Sequence, residues 1–276
     1  MKKIIVLLSL LFAFNSYADL MPWKSNYKRR DFNLEGKRAL IITTSQATLD
    51  KPGKVKKGKK SGVWASEMTE PYYEFTWSKM QVDVASIKGG KIPIDPFSLW
   101  PLVRTSYDSR YKKDPAFKDL VQNSLLIDDL DFTSYDIIFI SGGWGAAYDL
   151  GQSEVLAEKI SEAYEAGVIL SAVCHGPLGF TRAVKPDGSP LVEGVKMTGV
   201  PNRQLKQLGI FFTPLHPEIE LKKYGAKYEF QKRIIGFFAN RVVVDEKHQI
   251  VTGQNQRGGV ETAQKAMELL EKKKAL

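Results

Sequence analysis

The sequence predicts an α/β fold in which a doubly wound, mostly parallel sheet lies between two helix layers, with a nucleophile elbow at the end of one central strand. Three observations predict it. Apolar runs and helical-period segments alternate from Arg38 onward as strand, helix, strand, helix, strand, helix, strand, which is the pattern of a parallel sheet with ligands at its carboxyl ends. The runs at Arg38–Thr44, Tyr135–Ser141 and Val168–Val173 are largely apolar or small, as strands covered on both faces must be. The last of them runs straight into Cys174-His175-Gly176-Pro177, where Gly176 permits a sharp turn and Pro177 suits the first turn of a helix.

Arg38–Thr44 reads as the first and a central strand, after a polar, basic leader. From Ser61 to Lys79, Val63, Trp64, Met68, Tyr72, Phe75 and Trp77 recur near helical spacing, so a helix is expected there despite Pro71. Gln81–Ile87 alternates and stops before Gly89-Gly90, as a strand does. Lys91–Ser109 carries Pro93, Pro96 and Pro101 and is expected to be an irregular surface insertion. A helix starts at Asp114-Pro115, and the strand at Tyr135–Ser141 ends in Gly142-Gly143-Trp144-Gly145. Ser153 can cap a helix carrying Leu156, Ile160 and Ala163 on one face and ending at Gly167. Short strands are expected near Lys196–Thr198, Tyr228–Phe230, Val242–Val244 and Ile250–Asn255, and a terminal helix from about Val260.

The first 18 residues combine Lys2 and Lys3, an apolar run from Ile4 to Phe14 and the small residues of Ser16-Tyr17-Ala18. This is the pattern of a Sec signal peptide cut after Ala18, too short in its apolar run for a stable membrane anchor. It implies a periplasmic or secreted single domain over residues 19–276. The net charge of +9 is moderate, and the Lys51–Lys60 run has no aromatic residue within it, so no nucleic-acid partner is expected. That run reads as a solvated loop able to draw anions to a nearby cleft. With one Cys and three His at positions 175, 216 and 248, no metal-ligand spacing appears and no metal or cofactor is expected.

A lone Cys cannot form an internal disulfide, so in an exported chain Cys174 is either sheltered or used. At an elbow facing a helix N-terminus, the thiol is expected to be partly ionised at neutral pH. His175 is adjacent, although neighbours on a turn can point apart.

Four segments together resemble the PfpI superfamily of class I glutamine-amidotransferase-like proteins, and within it the branch of heat-shock chaperones with glyoxalase III activity. They are Ser61–Pro71 (SGVWASEMTEP), Ser141–Gly145 (SGGWG), Ala172–Pro177 (AVCHGP) and Val251–Asn255 (VTGQN). The resemblance implies a flavodoxin-like three-layer sandwich. It also implies that Cys174 is the nucleophile, His175 its adjacent histidine and Glu67 the carboxyl that touches the thiolate, while Gly143, Trp144 and Gly145 line an oxyanion and substrate loop. The chain departs from the family twice. Trp144 stands where relatives commonly have His, and after Thr198-Gly199 no acid follows to orient His175. Glu218, in His216-Pro217-Glu218, is the expected replacement, with Gln204 a neutral substitute.

The resemblance implies cofactor-free conversion of a small aldehyde, methylglyoxal to D-lactate. Two other readings stand beside it: a cysteine amidase or peptidase using the same Cys–His pair, and an envelope holding chaperone or thiol redox sensor acting on unfolded clients. A homodimer is left open. For the chaperone reading, the aromatics Trp64, Tyr72, Tyr73, Phe75, Trp77, Phe97 and Trp100 supply the needed surface only where they are exposed, and most are expected in the core.

Overall fold

The structure is a computed structural model that describes residues 27–51, 58–210, 212–233 and 239–274. The segment read as a signal peptide, and Lys54, Lys56 and Lys57 of the basic run, lie outside the described residues. Strand β1 (Arg38–Thr43) is followed by a small ribbon, β2 (Thr48–Leu49) with β3 (Lys59–Lys60), then by α1 (Ala65–Trp77) and β4 (Gln81–Ser86). Next come α2 (Ser106–Tyr111), α3 (Pro115–Gln122), β5 (Leu125–Leu126), β6 (Ile137–Ile140), α4 (Ala146–Asp149), α5 (Glu154–Glu165) and β7 (Ile169–Val173). The C-terminal third adds β8 (Lys196–Met197), α6 (Asn202–Gln207), α7 (Pro217–Lys223), β9 (Lys227–Tyr228), β10 (Val242–Asp245), β11 (Ile250–Gly253) and α8 (Gly259–Lys274).

Seven strands form one sheet in the order β10-β11-β7-β6-β1-β4-β5, and every pairing is parallel except β10 with β11. The chain builds outward from β1 through β4 to β5 and then returns to place β6 on the other side of β1. That reversal opens a crevice above the carboxyl ends of β1, β6 and β7, where ligands bind in open α/β sheets.

Period-two alternation divides the apolar residues between two cores. Ile41, Phe139, Ile169 and Val251 face α1 and α8, whereas Leu40, Ile138, Leu170 and Ile250 pack with Leu156 and Ile160 of α5. Because both faces are covered, these strands are buried throughout, which is why they read as continuous apolar runs.

Helix α1 tolerates Pro71 for a specific reason. Proline has no N–H to offer the carbonyl four residues back, here Glu67 O, and the Ser141 hydroxyl at the end of β6 donates to that carbonyl at 2.9 Å. A defect in the helix thereby becomes a tie between helix and sheet beside the crevice.

The expected surface insertion at Lys91–Ser109 is instead a clamp on α1. Ile92, Ser98 and Asp108 are buried; Ala65 N donates to Ser98 Oγ at 3.1 Å, and Thr69 Oγ1 donates to Asp108 Oδ1 at 2.7 Å. The prolines exclude long regular elements but not burial. The helix expected after the elbow is a five-residue 3₁₀ turn, Gly176–Phe180. Gly176 and Gly179 are poor helix formers, and a Cβ on Gly176 would stand 2.2 Å from Ile140 O, so the turn lies directly on β6.

Replacing Ser141 by Ala leaves the Glu67 carbonyl buried without a donor and should cost about 1–3 kcal/mol of stability. Urea unfolding of the S141A protein measures it; a loss under a few tenths of a kcal/mol would show that the tie carries no weight.

Candidate active site

Cys174 stands one residue past β7 with φ +62°, a left-handed conformation that costs a non-glycine residue about 1–3 kcal/mol. The strain is held on both sides: Cys174 N donates to Gly253 O and Val200 N donates to Cys174 O, both at 2.9 Å. The thiol is thereby turned out of the strand line toward the crevice. His175 Nδ1 lies 3.4 Å from Sγ, so the two neighbours do point together. Burial pushes the His175 pKa down to about 3, with the nearby His216 adding to the effect, so the ring is neutral at physiological pH. A neutral imidazole can accept the thiol proton. Its Nε2 has no hydrogen-bond partner among the described residues.

Glu67 comes from the first turn of α1 and is 1 % exposed. Burial pushes its pKa up to about 8, opposed by a hydrogen bond with Cys174 and by the N–H groups of Gly142 and Gly143. The carboxyl is therefore protonated at neutral pH. Although those amides lie close enough to favour the charged form, Oε2 itself is buried with no hydrogen-bond partner among the described residues. Glycine is required opposite it, since a Cβ on Gly142 would fall 2.6 Å from Glu67 Oε2 and 2.6 Å from His175 N. Gly143, at φ +94°, presses equally close to Trp64 N.

The backbone N–H groups of Gly143 and His175 both reach the Cys174 sulfur and favour its anion. They do not prevail. Burial and the adjacent Glu67 carboxyl push the thiol well above its usual value, so the expected partial ionisation at neutral pH is corrected. The physical reason is that a 3₁₀ turn supplies little dipole while the dry pocket penalises a thiolate, and at higher pH the ionised Glu67 carboxylate adds its own repulsion.

Cys174, His175, Glu67, Gly143 and Trp144 line one cavity of about 310 Å³. Gly145 does not: its N–H donates to Gly62 O at 3.3 Å, so it shapes the loop and offers nothing to an oxyanion. Glu218 does not orient His175 either. Its carboxylate accepts from Asn202 N at 2.8 Å, capping α6, and from Lys222 Nζ at 2.7 Å. His216 Nδ1 is paired with Asn202 Oδ1 at 2.9 Å, and His248 with Asp245 in a hairpin turn.

Gln204 does line the cavity, held through Oε1 by Asn255 Nδ2 at 3.2 Å, but it brings no charge. Residues that sequence reasoning missed are Leu208, Ile210 and Gln256, along with Asp95, whereas Lys59 belongs to the basic run expected near a cleft. Gln256 directly follows the Val251–Asn255 segment, which was the available signal; Leu208 and Ile210 carried none. A larger, shallower groove of about 580 Å³ along α5, between Glu158 and Arg182, is walled by surface residues and contains none of this chemistry. No cluster of three or more His, Cys, Asp or Glu side chains able to hold a metal ion occurs among the described residues.

Comparison with known proteins fits this geometry. The model of the DJ-1/PfpI family matches residues 59–269, a span that contains α1, the Gly142–Gly145 loop and the elbow. The chain belongs to the DJ-1/PfpI family. Among its curated relatives in that family are "Glyoxalase 3" of Candida albicans, 31 % identical over 75 % of this chain and 89 % of the relative, and "Glutathione-independent glyoxalase HSP31" of Saccharomyces cerevisiae, 29 % identical over 77 % and 91 %. Solved structures that superpose well include a 24 kDa rapid encystment protein of Francisella tularensis (TM-score 0.76, 28 % identity, 85 % of this chain and 99 % of that one). Glyoxalase III of Candida albicans gives TM-score 0.73 at 28 % identity over 84 % and 97 %.

The raised Glu67 pKa has a sign that can be checked. A carboxyl at about 8 when folded and near its usual 4.5 when unfolded lends stability that is complete below pH 4.5 and gone above pH 8. The wild-type melting temperature should therefore decline across that window more steeply than that of Glu67→Gln, which has nothing to titrate there. The same substitution removes a neighbouring negative charge, so the midpoint of Cys174 alkylation against pH should fall relative to wild type. Parallel melting curves and an unmoved midpoint would place the carboxyl in ordinary solvent contact.

Proposed function

We propose that this chain is a cofactor-free, cysteine-dependent glyoxalase of the glyoxalase III type, converting methylglyoxal to D-lactate without glutathione. The observation that carries the reading is the convergence on one buried thiol of a neutral His175, a protonated Glu67 and two backbone N–H groups. The names of the relatives support the same reaction class.

Cys174 Sγ adds to the aldehyde carbon as its proton passes to His175 Nδ1, and the N–H groups of Gly143 and His175 stabilise the oxyanion formed. Glu67 gives that oxygen its proton, leaving a hemithioacetal and a carboxylate beside it. The carboxylate then takes the former aldehyde hydrogen as a proton while the His175 imidazolium protonates the keto oxygen, giving an enediol; Glu67 delivers its proton to the adjacent carbon as the hydroxyl on the sulfur-bearing carbon gives its proton back to His175. This reduces the keto carbon, oxidises the aldehyde carbon and leaves a thioester. The Glu67 carboxylate activates water to hydrolyse the thioester and the His175 imidazolium protonates the departing sulfur, releasing the 2-hydroxy acid and restoring carboxyl, imidazole and thiol. No outside electron acceptor is needed.

The amidase reading is weaker, because amide cleavage needs a dependable acid for the leaving amine, and His175 Nε2 has no carboxylate partner to hold it. The holding-chaperone reading draws support from Phe97, Trp100 and Leu102, which are exposed at 42, 58 and 67 %. Export to the periplasm belongs to the proposal as well and rests on the first 18 residues alone.

The test is D-lactate formation from methylglyoxal in the absence of glutathione. Cys174→Ser should abolish it, and Glu67→Gln should lower kcat about a hundredfold or more with the protein still folded. Turnover that survives loss of the thiol, or no turnover by the wild-type protein, would reject the assignment.

A further inference from the structure

The cavity is too large for the substrate that its chemistry suggests. Methylglyoxal has five heavy atoms; at roughly 30 Å³ each, the share a water molecule takes in the liquid, they account for about half of a cavity of about 310 Å³. The unused space has a definite character. Trp64, Phe97, Leu205, Leu208 and Ile210 form apolar walls, and of these Phe97 and Leu208 are 42 and 48 % exposed, so they stand at the mouth. An aromatic series runs outward from the wall: Trp64 meets Phe97 edge-on at 6.0 Å, and Phe97 meets Trp100 at 5.1 Å.

Polar groups line the same cavity, Lys59 and Asp95 as well as two buried amides. Gln204 and Gln256 are 1 and 8 % exposed, and both Nε2 atoms, together with Trp144 Nε1, have no hydrogen-bond partner among the described residues. Donors left in that state cost stability unless a ligand or solvent oxygen meets them. A 2-oxoaldehyde has two adjacent oxygens, and both carry developing charge at different stages of the reaction. The amides of Gly143 and His175 serve the one on the carbon bonded to sulfur. The amides of Gln204 and Gln256 and the Trp144 indole N–H are the donors available for the other and for the hydroxy acid that forms from it.

We propose that the preferred substrate is a 2-oxoaldehyde bearing a bulky apolar arm, aryl or branched alkyl, which lies along Trp64 and Phe97 and is closed over by Leu208 and Ile210. An aryl glyoxal has ten heavy atoms, roughly 300 Å³ on the same scale, which matches the cavity. The inference rests on the glyoxalase reading for the identity of the reacting group, but the arm site makes its own claim about binding. Extra apolar bulk in a fitted pocket is worth about tenfold or more in discrimination.

The test has a turnover part and a binding part. Wild-type kcat/KM is measured for methylglyoxal, phenylglyoxal and a polyhydroxylated sugar-derived 2-oxoaldehyde of similar size. Phenylglyoxal should lead methylglyoxal by about tenfold or more, and the ratio of the two should fall severalfold in F97A and in L208A. Both side chains are partly exposed, so these proteins should fold, and circular dichroism and melting confirm it. Separately, Cys174→Ser is titrated calorimetrically with D-mandelate and with D-lactate, where mandelate should bind about tenfold tighter or more. Equal affinity for the two acids, or a preference for the polyhydroxylated aldehyde, overturns the apolar arm even if methylglyoxal is turned over well. Tighter mandelate binding without turnover of any aldehyde upholds the arm site and rejects the glyoxalase assignment instead.

Discussion

A carboxyl group held out of water is the constraint on which this site depends. Glu67 has no salt bridge among the described residues; it is kept neutral by burial and is wedged between the Gly142-Gly143 turn and the Cys174 thiol. Several features of the fold exist to keep it there. Pro71 frees the Glu67 carbonyl for Ser141, and Ser98 and Asp108 fasten α1 from the outside. Gly142 leaves room that no other residue could. These residues come from three stretches of the chain, α1, the Lys91–Ser109 segment and the end of β6, which meet where the strand order reverses beside β1.

A neutral carboxyl next to a neutral thiol also sets the kind of chemistry available. A preformed thiolate would be more nucleophilic, but it would carry charge into a dry pocket with a carboxyl beside it. Here the charge is created only on addition to an electrophile, at the point where the Gly143 and His175 amides can receive it. Such a site suits aldehydes, which are reactive enough to be attacked as the proton leaves. It also shelters the single cysteine, which is 7 % exposed, from adventitious oxidants.

Much of the framework was legible in the sequence, because burial on both faces of a parallel strand leaves a plain mark: Ile41, Ile138 and Leu170 sit in runs with few polar residues for a physical reason. The elbow was legible too, since Cys174, His175 and Gly176 must occur consecutively to make it. What the sequence hides is whatever depends on the environment rather than the order. The direction of the Cys174 pKa follows from how dry the pocket is, and the length of the turn after it follows from contact with β6. Glu218 is near enough in sequence to invite a role, but the α6 N-terminus and Lys222 take its carboxylate. The Lys91–Ser109 segment looked peripheral because its prolines exclude long regular elements, yet short turns and helices can be buried where their polar groups are met, as Ser98 and Asp108 are.

The two departures from the family pattern bear on one another. Without an acid to fix it, His175 is held by the Cys174 sulfur at Nδ1 and by burial, and it stays neutral at physiological pH. A carboxylate at the Gln204 position would stabilise the protonated ring and raise its pKa toward neutrality. The amide there leaves the imidazole a weak base, and the Trp144 ring adds apolar surface to the same cavity. Addition of a thiol to an aldehyde tolerates such a base, because the proton transferred can be shared with Glu67. Amide hydrolysis does not, because it needs an imidazolium ready to protonate a departing amine.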